Sequence, residues 1–154
     1  NTMNKILFVC LGNICRSPMA EFVFRDMIKK EGLSDKIHIE SAATSTEEIG
    51  SVVHRVTREK LSEKGISVAG KTAVQLKKSD YEKFDYIIGM EDSNIRGINR
   101  IIGTDKEGKV YKLLDFAGGG NIADPWYTRN FDVTYDDVYR GCEGLMNHLK
   151  QKLV

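Results

Sequence analysis

Residues 5–10, Lys-Ile-Leu-Phe-Val-Cys, carry an apolar side chain at every position after the first. A strand with no polar face must be covered on both sides, which is the condition of a central strand in a parallel sheet. Residues 11–18 narrow the choice further. Leu11-Gly12-Asn13 closes the strand, and Ser17-Pro18 opens a helix, with the Ser17 hydroxyl as its cap and Pro18 in its first position. Met19, Phe22, Val23, Met27 and Ile28 then share one helical face until Gly32 stops it.

The alternation continues along the chain. Residues 37–42 read as a second strand, and residues 51–65 as a second helix that stops at Gly65. Residues 66–78 fit neither pattern, with a short turn of helix near Lys78. Residues 84–90 form a third strand, and Ile95, Ile98 and Ile102 share a helical face before Gly103. Residues 109–115 make a fourth strand, followed by a polar, Gly-rich loop over 116–132. The last helix, from about Tyr135, turns Val138, Cys142, Leu145, Met146, Leu149 and Leu153 inward. Strands alternating with helices predict an α/β fold, a four-stranded parallel sheet with helices on both faces. At 154 residues this is one domain over 1–154. Asn1 and Thr2 precede Met3 and read as a remnant.

Sheets of this kind bind ligands beyond the carboxyl ends of their strands. The loop 10–17 lies at such an end, as does the loop after residue 115. Between a strand and a helix N-terminus, the successive N–H groups of Leu11, Gly12, Asn13, Ile14 and Cys15 make an anion cradle. Gly12 and Asn13 tolerate the unusual dihedrals a tight loop needs. Arg16 adds a planar fork that holds two phosphate oxygens at once. Cys10, at the base, feels the same positive field, which favours its thiolate. A thiolate aimed at phosphorus is a nucleophile, and its attack forms a phosphocysteine. Ser17 donates to the sulfur and helps it leave in the second step. The loop lacks the Walker lysine and the G-x-G-x-x-G spacing, which argues against a nucleotide site.

The bulk properties leave this reading room. A net charge of +1 gives no reason to expect a nucleic-acid or anionic-membrane partner, so any pull on an anion is local. Three cysteines, Cys10, Cys15 and Cys142, are too few and too odd for a secreted disulfide framework. His38, His54 and His148 are scattered, so no metal site is expected. The longest apolar run is far short of a membrane span, and no signal peptide is recognisable. The compartment expected is a reducing cytoplasm.

Phosphoryl transfer to a thiolate leaves an oxyanion that needs a proton from the opposite side. Asp124 precedes Pro125 in the long loop, which restricts its backbone to extended conformations. Trp126 and Tyr127 come next and offer a wall for an aromatic substrate. Asp115 is the runner-up acid, although a capping role suits it better.

The stretches Val-Cys-Leu-Gly-Asn-Ile-Cys-Arg-Ser-Pro, Glu-Ser-Ala, Phe-Asp-Tyr-Ile-Ile-Gly-Met-Glu-Asp-Ser-Asn and Asp-Pro-Trp-Tyr together resemble the low-molecular-weight protein tyrosine phosphatases. The resemblance implies hydrolysis of phosphotyrosine in proteins, a cognate tyrosine kinase among them, and of small aryl phosphates. It implies Cys10 as nucleophile, Arg16 as phosphate clamp, and Asp124 as the acid that later activates water. By position, Asn13, Ser17 and Ser41 match residues that shape the loop, and Trp126 and Tyr127 match the wall of the cleft. No metal or organic cofactor is implied. Cys15 matches a second loop cysteine that forms a disulfide with the nucleophile under oxidation; a buried small hydrophobe is the alternative for it, and the two are compatible.

Two positions depart from the pattern. Glu47 stands where an aromatic residue often lines the cleft, and either selects basic or neutral peptides or is a solvated charge. Lys71 stands where a histidine often braces the loop, so loop rigidity is expected to differ. Two rival readings remain. An arsenate reductase on the same fold needs a relay pair of cysteines, and residues 75–98 have none. A non-catalytic module for phosphate or phosphotyrosine has no need of Cys10 and Asp124 together.

Overall fold

The structure, a computed structural model, describes residues 3–153; Asn1, Thr2, Val154 and the side chain of Leu153 lie outside the described residues. Strand β1 (Asn4–Cys10) lies between β2 (Ile37–Ala43) and β3 (Tyr86–Gly89), and β4 (Val110–Lys112) pairs with β3. All pairings are parallel, in the order β2-β1-β3-β4. The order reverses direction beside β1, which opens a crevice at the carboxyl ends of β1 and β3.

Side chains alternate across β1 and serve two cores, as a both-sides-buried strand requires. Ile6 and Phe8 join α1 (Arg16–Lys30) and α6 (Phe131–Leu153) through Met19, Phe24, Val138 and Leu145. Leu7 and Val9 join α3 (Asp80–Lys83) and α4 (Asp92–Ile102) through Tyr81, Ile98 and Ile102. Helix α2 (Arg55–Glu63) packs Leu61 into the first core. The expected α/β fold is the observed one. Cys142 is fully buried on α6, beside Val138 and Leu145.

Several boundaries differ from expectation, each for a local reason. Ser17 does not cap α1. The helix starts at Arg16 with Cys15 as its cap residue, and no side chain caps it. Pro18 is therefore third in the helix, where a missing N–H still costs no intrahelical bond. Gly32 ends α1 as expected, with φ 71° and a paired closure: Leu33 N–H donates to Ile28 O and Gly32 N–H to Lys29 O. Helix α2 begins at Arg55 rather than residue 51. The four residues before it are drawn away, with Val52 bridged to Thr72 and Ser51 O accepting from Ala73 N–H. The fourth strand stops at Lys112, because Leu113 and Leu114 are pulled into the core and wind a 3-10 turn over Leu113–Ala117. Helix α6 begins at Phe131, four residues early, with Asn130 Oδ1 accepting from Val133 N–H.

Helix α6 lies close on that 3-10 turn only because two of its residues are glycine. A Cβ at Gly144 would lie 2.0 Å from the Phe116 carbonyl oxygen. Gly144→Ala is therefore expected to cost about 3 kcal/mol, the upper end for overpacking. That lowers Tm by roughly 6–12 °C in a chain of this size. A thermal melt unchanged from wild type would show that the contact is slack.

Candidate active site

Strand β1 delivers Cys10 to the sheet end, and the chain then turns through residues 11–15 into α1. The carbonyls of this loop bond outward. Cys10 O accepts from Thr44 N–H, Leu11 O from Ser45 N–H and Ile14 O from His54 N–H. With these three carbonyls bonded, the loop borders a cavity of about 200 Å³.

Asn13 is the hub below. Its φ of 58° is left-handed, a conformation asparagine accepts better than most residues. Its N–H donates to Cys10 Sγ at 3.3 Å, and its Oδ1 accepts the Val74 N–H at 3.1 Å. Its Nδ2 donates to Ser17 Oγ at 2.8 Å and Ser41 Oγ at 2.9 Å. These bonds set the direction of every proton nearby. Ser41 donates to Glu21 Oε1 at 2.5 Å, so its oxygen is free to accept from Asn13. Ser17 accepts from Asn13, which leaves its own hydrogen for Cys10 Sγ at 3.0 Å. That bond is why the Ser17 hydroxyl does not cap α1. Cys10 sulfur thus receives two donors, the Asn13 N–H and the Ser17 hydroxyl.

Glu21 is only 3% exposed and pairs with Arg25 at 2.7 Å and Lys71 at 3.6 Å. Lys71 also donates to the Ser41 carbonyl at 2.9 Å, so the position that departs from the family pattern still reaches the loop's support. Burial pushes the Lys71 ammonium below its usual range, against the pull of Glu21.

The cavity is walled by Cys10, Leu11, Gly12, Ile14, Cys15 and Arg16 from the loop, and by Asp124, Trp126 and Tyr127 from the far side. Glu47, Glu48 and Ser45 complete its rim. Asn13, Ser17 and Ser41 lie beneath it. Arg16 is 2% exposed, and its charge is matched three ways. Nη1 donates to Glu91 Oε2 at 2.5 Å and to the Ile122 carbonyl at 2.9 Å, and Nη2 faces Asp124 Oδ2 at 3.3 Å. Asp124 caps the short helix α5 (Pro125–Thr128), Oδ1 accepting from Trp126 N–H at 3.0 Å. Asp115 sits elsewhere, its Oδ2 accepting from Lys112 N–H at the start of the 3-10 turn, so capping is its place. Cys15 is 6% exposed, and burial pushes its thiol up to about 12 despite the Thr57 hydroxyl beside it. It is a neutral thiol at physiological pH.

Two carboxylates of this site escape sequence reasoning. Glu91 is visible as the polar residue two positions after β3, at the cap of α4 and three positions before the Asn94 that completes its capping box. Glu21 shows only as one charge among several on α1, set between Ala20 and Phe22. A larger groove, about 650 Å³, runs between α2 and residues 65–71, but it contains no cysteine. No group of three His, Cys, Asp or Glu side chains among the described residues is arranged to hold a metal ion.

The model of the low molecular weight phosphotyrosine protein phosphatase family matches residues 5–154. The chain belongs to that family. It is 40% identical over 153 residues to the low molecular weight protein-tyrosine-phosphatase YfkJ of Bacillus subtilis (strain 168), covering 97% of this chain and 98% of that one. The crystal structure of YfkJ superposes with a TM-score of 0.95, covering 99% of this chain and 98% of that one. PtpA of Staphylococcus aureus (strain bovine RF122 / ET3-1) is 36% identical and covers 96% of this chain and 94% of its own. The Streptococcus pyogenes low molecular weight protein tyrosine phosphatase SP-PTP has a TM-score of 0.87 at 39% identity, covering 96% and 93%. As a member of this family the protein is a hydrolase of phosphoric monoesters. No helix among the described residues is long and apolar enough to cross a membrane.

Asn13→Ala removes three side-chain bonds and leaves buried partners unsatisfied. The expected loss is at least about 2 kcal/mol, or roughly 4–8 °C in Tm. A melt at the wild-type temperature would show that the loop does not depend on this hub.

Proposed function

We propose that the protein hydrolyses phosphotyrosine in proteins, and small aryl phosphates, through a phosphocysteine on Cys10. What supports this most is the convergence of Cys10, Arg16 and Asp124 on one cavity, from stretches more than a hundred residues apart in the chain. The phosphate dianion binds to the loop amides and the Arg16 fork. The Cys10 thiolate attacks phosphorus, so the S–P bond forms as the P–O bond to the leaving group breaks. Asp124 gives its proton to the departing phenoxide. It then takes a proton from water, which attacks phosphorus and breaks the S–P bond. Ser17 donates to the sulfur as it leaves. Glu91 and the Ile122 carbonyl hold Nη1 of Arg16, leaving the Nη2 side to face the substrate and Asp124.

Trp126 and Tyr127 are 57% and 78% exposed, and their placement beside the cavity suits a flat aryl group. Glu47 and Glu48 on the rim favour peptides with basic or neutral residues around the phosphotyrosine. The second loop cysteine guards the first. Peroxide converts the Cys10 thiolate to a sulfenic acid, and the Cys15 thiol condenses with it to a disulfide, releasing water. A reducing cytoplasm suits a site that works with both thiols free.

Asp124→Ala is expected to slow phosphorylation of the enzyme by about a hundredfold or more on phosphotyrosine. The loss should be smaller on p-nitrophenyl phosphate, whose leaving group needs less help. A loss independent of leaving-group basicity would move the acid elsewhere. In the same assay, kcat/KM should be higher for a phosphopeptide with basic flanks than for one with acidic flanks; equal values would leave Glu47 a bystander.

A further inference from the structure

His54 lies behind the cavity, and four elements meet on it. Its N–H donates to the Ile14 carbonyl at 2.8 Å, holding the phosphate loop from outside. Its Nδ1 accepts the Val56 N–H at 3.2 Å and caps α2. Its ring stacks on Phe131 at the start of α6, with centroids 5.5 Å apart and planes 18° apart. The same ring meets Trp126 edge-to-face at 6.2 Å and 83°.

Trp126 needs such a neighbour. It is more than half exposed, and among the described residues His54 is the one aromatic ring that pairs with it. An indole on a four-residue helix at the surface does not set its own angle. An imidazole held between Phe131 and the Val56 N–H of the α2 cap sets it instead.

We propose that His54 is a positioning residue for the substrate wall. Its ring fixes the tilt of Trp126 over the bound aryl group, and its backbone ties that wall to the loop that holds the phosphate. The distance between the phosphate cradle and the aryl wall is thereby fixed, which favours aryl over alkyl phosphates. This role rests on the protein being an aryl phosphatase.

Two substitutions separate the ring from the cap. His54→Asn keeps a side-chain acceptor for the Val56 N–H and removes the ring. His54→Phe keeps a ring and removes the acceptor. On p-nitrophenyl phosphate, His54→Asn should raise KM about two- to tenfold, the range of one aromatic pair. Competitive inhibition by inorganic phosphate should stay at the wild-type value, because phosphate touches the loop and not the wall. His54→Phe should restore most of the KM while lowering Tm. Trp126 is the chain's single tryptophan, so its time-resolved anisotropy reads the wall without turnover. It should fall in His54→Asn and recover in His54→Phe.

An unchanged KM together with unchanged anisotropy in His54→Asn overturns the proposal. Phosphate inhibition that weakens in parallel with KM overturns it too, since His54 would then brace only the loop. Wild-type protein inert toward p-nitrophenyl phosphate would count against the phosphatase reading alone, and the anisotropy would still decide the role of His54.

Discussion

The left-handed turn at Asn13 is the constraint on which the site depends. One residue at φ 58° reverses the chain between β1 and α1 and brings its own N–H to the Cys10 sulfur. Its side chain reaches α1 through Ser17, β2 through Ser41 and the 66–78 segment through Val74. Three parts of the chain are thus fixed relative to one sulfur atom at the end of β1. Glycine would allow the same dihedral but make none of these side-chain bonds. Alanine would make none and resist the dihedral as well.

Arg16 extends this order across the cavity. A guanidinium this deeply buried is stable only if its charge and hydrogens are matched. The matching groups come from the cap of α4, at Glu91, and from the acid loop, at Ile122 and Asp124. Ile122 is fully buried, and its N–H donates to the Met90 carbonyl, so the long Gly-rich loop is anchored just before Asp124. The two halves of the site are therefore held by one cation as well as by the sheet beneath them.

Much of this is legible in the sequence, for reasons that can be named. The β1 run has no polar face and admits few alternatives to a central strand. Gly12 and Asn13, between an apolar strand and a Ser-Pro helix start, mark a tight anion loop. Other features depend on partners distant in sequence. Ser17 looks like a helix cap until Asn13 and Cys10 claim its hydroxyl. Glu21 and Glu91 have meaning only once folding buries Ser41 and Arg16 against them. Residues 51–54 look helical by composition and are extended because Thr72 and Ala73 pair with them. Lys71 reads as a loss to the loop, yet its long side chain reaches Ser41 and Glu21.

The central claim is that Cys10 carries the phosphoryl group. The direct measurement is rapid acid quench of the protein during turnover of a phosphotyrosine peptide, then peptide mapping in a mass spectrometer. Phosphate is predicted on the Cys10 sulfur, building up further in Asp124→Ala with an activated aryl phosphate, because the water step then lacks its base. Phosphate found on another side chain, or turnover undiminished in Cys10→Ser, would contradict the account.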